Sequence, residues 1–151
     1  MNRQTPPSPA SKARLRLWLR LLRAQRAVEA RVRERLRDGH DTTLPRFDVM
    51  AALYRERDGM RMSALSGVLR VSNGNVTGIV DRLVTEGAVE RIAVAGDRRA
   101  MIVRLTEAGA EAFEAMAAAH EAWIDELLDG VGAEEAEAIS ARLAEVAERI
   151  E

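Results

Sequence analysis

The 151 residues contain no cysteine, so disulfides, thiolate metal sites and thiol redox sensing are all excluded. Histidine occurs only twice, at His40 and His120, which leaves no basis for a multi-histidine metal centre; no metal and no cofactor is expected. Lysine occurs once, at Lys12, so arginine carries nearly all the positive charge. No apolar run approaches the roughly 20 residues that cross a bilayer. Residues 1–10 hold three prolines and no apolar stretch. They argue against a secretory signal peptide, predict a disordered lead-in, and make the cytoplasm the expected location. What remains is 47% hydrophobic and 31% charged, the balance of a single globular domain over 11–151.

The formal net charge of −1 conceals a segregation. Residues 1–40 carry net +8, residues 41–106 net +2, and residues 107–151 net −11. Two surfaces with different partners are implied. A polyanion such as double-stranded DNA suits the basic one. Pairing of basic with acidic helices, within one chain or across a dimer, accounts for part of the pattern as well.

Hydrophobic spacing predicts a long helix from about Ser11 to Arg37, with Leu17, Leu21, Ala24, Val28, Val32 and Leu36 in one stripe. Such a helix is about 40 Å long, more than one small domain covers. Asp38-Gly39 is expected to end it. Pro45 opens a second helix over 45–57, stopped by Asp58-Gly59. A short helix follows at 62–69, a tight turn at Arg70-Val71, and a helix at 73–86 capped by Ser72 and closed by Gly87. Val89–Val94 and Met101–Leu105 then flank residues 95–99 as a β-hairpin with a basic tip. Thr106 caps a helix over 107–129. Gly132 caps a last one, striped by Ala136, Ile139, Leu143, Val146 and Ile150.

Two short helices, a tight turn and a basic hairpin form a winged helix-turn-helix over 45–106. The fold class is therefore mainly α with a small β-wing, plus a helical dimerisation region at 11–37 and 107–150. The helix at 73–86 is the one expected in the major groove. Ser72, Asn73, Asn75 and Thr77 offer small polar groups to base edges and phosphates, and Asn bonds adenine bidentately. Gly74 and Gly78 allow close approach, at a cost of roughly 1 kcal/mol each in helix stability. Arg82 joins them on the same helix. Arg98 and Arg99 at the hairpin tip suit the minor groove or a phosphate clamp. Asp81 can orient a wing arginine by a bidentate pair. An ordinary capped helix facing water is the plainer reading of the same residues.

The runs S-N-G-N-V-T-G-I-V-D-R-L at 72–83, E-G-A-V-E-R at 86–91, G-D-R-R-A at 96–100 and R-L-T-E-A-G at 104–109 resemble the MarR family of bacterial transcriptional regulators. The likeness extends over nearly the whole chain. It implies a homodimer whose first and last two helices interlock, a pseudo-palindromic operator, release by a small ligand, and an Asp81–Arg99 salt bridge that orders the wing. Asn73 and Gly78 depart from the bulkier or basic side chains that many members carry. R-L-W-L-R-L-L-R at 16–23 and T-L-P-R-F-D-V-M at 43–50 are similar to the branch that regulates aromatic-acid catabolism.

A ligand pocket is expected where the dimerisation helices meet the DNA-binding lobe. Its candidates are Trp18, Leu22 and Arg26, then Phe47, Met50 and Tyr54, and Met116 and His120. Apolar walls beside an arginine suit an aromatic carboxylate or its coenzyme A thioester. Most of these side chains read equally well as core. The alternative function is a ligand-insensitive architectural DNA-binding protein of the same fold. An enzyme is not expected, because the acidic C-terminal helices have no partner acid, nucleophile or phosphate loop.

Overall fold

The computed structural model describes residues 8–69 and 73–151, apart from the side chains of Asn73 and Arg98. The expected turn at Arg70-Val71 and the cap at Ser72 lie outside that range, as do residues 1–7 of the expected lead-in. Ser8 to Ala10 do not belong to a lead-in. Ser8 Oγ accepts the Ser11 N–H at 3.1 Å, Pro9 takes the first turn, and helix α1 runs Pro9–His40. Its far end also lies beyond the expected stop. Gly39 stays helical, and Asp41 ends the helix in a left-handed conformation (φ 47°) with its N–H on the Leu36 carbonyl.

Thr43 caps α2 (Leu44–Arg55), and Pro45 lies in its first turn. This helix is the centre of the core, with Phe47, Val49, Met50, Ala52 and Leu53 all buried. A two-residue strand, β1 (Met60–Arg61), precedes α3 (Met62–Leu69). The sequence analysis does not anticipate it, since two residues carry no period-two pattern. Gly59 makes it possible: its φ is +104°, and a Cβ there would meet the Val103 carbonyl oxygen at 2.9 Å.

Helix α4 spans Asn73–Thr85. Gly87, at φ +79°, closes it, with the Ala88 N–H on the Leu83 carbonyl and the Gly87 N–H on the Val84 carbonyl. Strands β2 (Val89–Val94) and β3 (Asp97–Leu105) form the hairpin, and β1 joins the outer edge of β3 to give the antiparallel order β1-β3-β2. Pairing runs evenly from Val89–Leu105 to Ala93–Met101, then shifts so that Val94 faces Asp97. The tip is therefore tighter than the expected five-residue loop. Ala95-Gly96 makes the turn with Gly96 at φ +83°, and the surplus residues of β3 bulge beside it.

Thr106 caps α5 (Glu107–Leu127) by accepting the Gly109 N–H at 3.0 Å. Phe113 and Met116 of α5 pack onto the α2 face. Helix α6 (Ala133–Glu148) buries nothing within the single chain. Its expected stripe lies open, with Ile139, Leu143 and Val146 each over 40% exposed. Helix α1 behaves likewise over its first half: Leu15, Leu17, Trp18 and Leu19 are more than half exposed, and only Val32 and Leu36 are buried.

Candidate nucleic-acid interface

Helix α4 is divided by burial. Val76, Val80 and Leu83 are buried at 0–1% exposure and fix the helix against the core. The opposite face leaves Gly74, Asn75, Thr77, Gly78, Asp81 and Arg82 exposed. A Cβ added at Gly74 or Gly78 would meet nothing within 4 Å among the described residues, so packing against them requires neither glycine. Two residues that weaken the helix thus lie on its outward face, where an approaching backbone gains from their small size. Asn73 and Ser72 contribute no described side chain to this face.

The wing stands beside α4. Asp81 pairs with the Arg91 guanidinium on β2, not with Arg99, which corrects the expected pair. Arg91 faces Val103, whereas Arg99 falls in the bulge past Met101, roughly 8 Å farther along the hairpin at the usual strand rise. The exposed Arg99 instead gives its backbone N–H to Asp97 Oδ1 at 3.0 Å, so its position is set by the turn and its guanidinium points to no described ion-pair partner. Arg98 lies at the same tip, with its side chain outside the description. On the outer sheet surface Arg104 pairs with Glu90 at 2.7 Å.

The other flank of α4 is formed by residues the sequence analysis did not single out. A cleft of about 550 Å³ runs between α4 and the α1–α2 junction, lined by Arg37, Thr42, Thr43 and Arg46 opposite Asn75 and Arg82. Arg46 is paired with Glu86, and its buried Nε has no hydrogen-bond partner among the described residues. Nothing local announces this cluster, because Arg46 and Glu86 are 40 positions apart.

The residues expected to bind a small ligand separate into two groups. Phe47, Met50 and Met116 are buried core. Tyr54 and His120 border them: His120 lies 5.0 Å from the Phe47 ring and Tyr54 4.9 Å from Phe113. The Tyr54 hydroxyl donates to Glu114 at 2.7 Å, which holds the phenol above its ordinary pKa. Trp18, Leu22 and Arg26 lie on the open half of α1, outside this core, so the single chain does not bring the expected set together. A shallow apolar groove of about 400 Å³ does lie between the two groups, lined by Leu21, Val28, Val32, Leu44, His120 and Ile124. Among the described residues no three His, Asp or Glu side chains are placed to hold a metal ion. None of their helices is long and apolar enough to cross a membrane.

Two short helices packed on the core, one presenting an exposed polar face, with an antiparallel wing at its side, define a winged helix-turn-helix protein. The MarR family model matches residues 42–101, the segment from the α1–α2 junction to the wing. A MarR family transcriptional regulator from Silicibacter pomeroyi is 35% identical, covering 95% of this chain and 99% of its own, with a TM-score of 0.78. The HTH-type transcriptional regulator MhqR of Bacillus subtilis is 27% identical over 82% of this chain and 83% of its own. A mutant MarR from E. coli complexed with operator DNA is 26% identical, covers 92% of this chain and 99% of its own, and has a TM-score of 0.76. This chain belongs to the MarR family. The first two of these relatives are transcriptional regulators.

Proposed function

We propose that this chain is a cytoplasmic, sequence-specific DNA-binding regulator. It acts as a homodimer on a pseudo-palindromic operator and is released by a small aromatic acid or its coenzyme A thioester. The observation that carries the DNA reading is the divided surface of α4, whose exposed side holds Gly74, Asn75, Thr77, Gly78 and Arg82 beside a wing tipped by Arg98 and Arg99. Asn75 reads a base edge, the glycines admit the sugar-phosphate backbone, and the arginines hold phosphates or enter the minor groove. The E. coli relative solved on operator DNA supports this reading. Exposed apolar stripes on α1 and α6 support the dimer, because a second copy is the partner whose stripes match them. The groove beside His120 and the open half of α1 are the effector site, completed in the dimer by Trp18, Leu22 and Arg26.

Fluorescence anisotropy on duplex DNA from upstream of the chain's own gene tests the proposal. Binding should favour that duplex over a scrambled one and weaken steeply between about 50 and 200 mM salt. Equal affinity for both duplexes favours the architectural alternative. For the effector, an aromatic carboxylate or its thioester should lower operator affinity, and a panel with no effect would refute that part.

A further inference from the structure

Buried Val76, Val80 and Leu83 hold α4 along its length, and its C-terminal end carries a second, polar set of contacts. The left-handed Gly87 closes the helix, and Thr106 Oγ1 donates to the Gly87 carbonyl at 2.7 Å. Beside them, Arg46 reaches from the first turn of α2 to the Glu86 carboxylate, just past the last turn of α4. Helix α2 is the most buried element of the core, so Arg46 is a group on a rigid post. Its side chain is 19% exposed and its Nε unpartnered, which makes Glu86 the charge that compensates a largely buried guanidinium. Asn75 lies about 16 Å up the helix from Glu86 at 1.5 Å per residue, so a tilt of about 10° at the anchored end displaces it by about 3 Å. Base readout tolerates far less than that.

We propose that the Arg46–Glu86 ion pair is a positioning device that sets the angle at which α4 offers Asn75 and its neighbours to DNA. This rests on the reading of α4 as the DNA-reading helix. Two simpler roles predict different results. A plain electrostatic role makes Glu86 a repulsive charge near phosphates, so its removal tightens binding. A direct phosphate contact by Arg46 makes its removal weaken all sequences alike and lowers the salt dependence by about one charge.

The test uses the full-length protein and a duplex it selects from a random pool, measured by anisotropy against a scrambled duplex. Arg46→Met and Glu86→Gln should each reduce the preference for the selected duplex by about tenfold, within the coupling expected for a charge network. Affinity for the scrambled duplex and its salt slope should stay unchanged. The exchanged variant Arg46→Glu/Glu86→Arg should recover most of the preference. Tighter or unaltered selectivity in Glu86→Gln overturns the proposal, as does a uniform loss with a shallower salt slope in Arg46→Met. Should Arg46→Met melt early, Glu86→Gln and the exchange decide alone. If the unsubstituted protein selects no sequence, the reading of α4 fails and the positioning role fails with it.

Discussion

A Cβ at position 109 would lie 1.9 Å from the Ala88 carbonyl oxygen, so α5 can begin against the start of β2 only with glycine there. Gly109→Ala is expected to destabilise the fold by about 3 kcal/mol through backbone displacement, read as a lower urea midpoint. An unchanged midpoint would mean the crossing adapts freely. On the exposed face of α4, Asn75→Ala should relax preference at a single operator position, by about 1–3 kcal/mol if the contact is bidentate. A uniform loss over all sequences would make Asn75 a backbone contact. Arg99→Ala should weaken DNA binding while leaving the melting temperature in place, because Arg99 is exposed and its guanidinium makes no described ion pair. That Gly74, Asn75, Thr77 and Gly78 lie on the open face of a helix was legible from sequence, because small polar types at a helix start are a local signal. The partner of Asp81 was not. Choosing between Arg91 and Arg99 needs the hairpin register and its bulge, and those depend on where Gly96 turns the chain.

At the scale of elements, Thr43, Gly87 and Thr106 bound α2, α4 and α5 as the capping chemistry demands, while α2 stops at Arg55, short of the expected 57, and buries residues on more than one face. The ends of α1 do not, because Gly39, two residues before the cap, is tolerated within a long helix and Asp41 supplies the left-handed stop. Strand β1 was beyond reach of any periodic argument, since its existence depends on β3, over 40 residues later. Contact between α1 and α5 is also non-local: Arg35 holds Glu126 through two hydrogen bonds of 2.9 and 2.7 Å, and His40 meets Trp123 edge to face. The bond to Arg35 keeps the Glu126 carboxyl below its ordinary pKa. A carboxyl depressed in the folded state stabilises above its unfolded pKa and loses that contribution as pH falls through the folded value. The melting temperature should therefore decline below about pH 4, and Glu126→Gln should flatten that decline slightly, as suits an exposed pair. An acid limb identical in the variant would show that the pair contributes nothing.

At the scale of the molecule, charge and apolar surface are arranged for two partners. Residues 1–40 carry net +8, and the acidic α5 and α6 carry net −11 with the terminal residues. The stripes of α1 and α6 were legible as helix faces, but nothing among the described residues covers them. Ile139→Asp/Leu143→Asp should convert the proposed dimer to monomer in sedimentation equilibrium and abolish tight operator binding. A variant that stays dimeric would place the interface elsewhere. The measurement that bears most directly on the whole account is hydroxyl-radical footprinting of the protein on its selected duplex. Two related helix-turn-helix units should protect two half-sites about 34–36 Å apart, one turn of DNA, on the same face. A single protected half-site, or even protection without sequence boundaries, would contradict it.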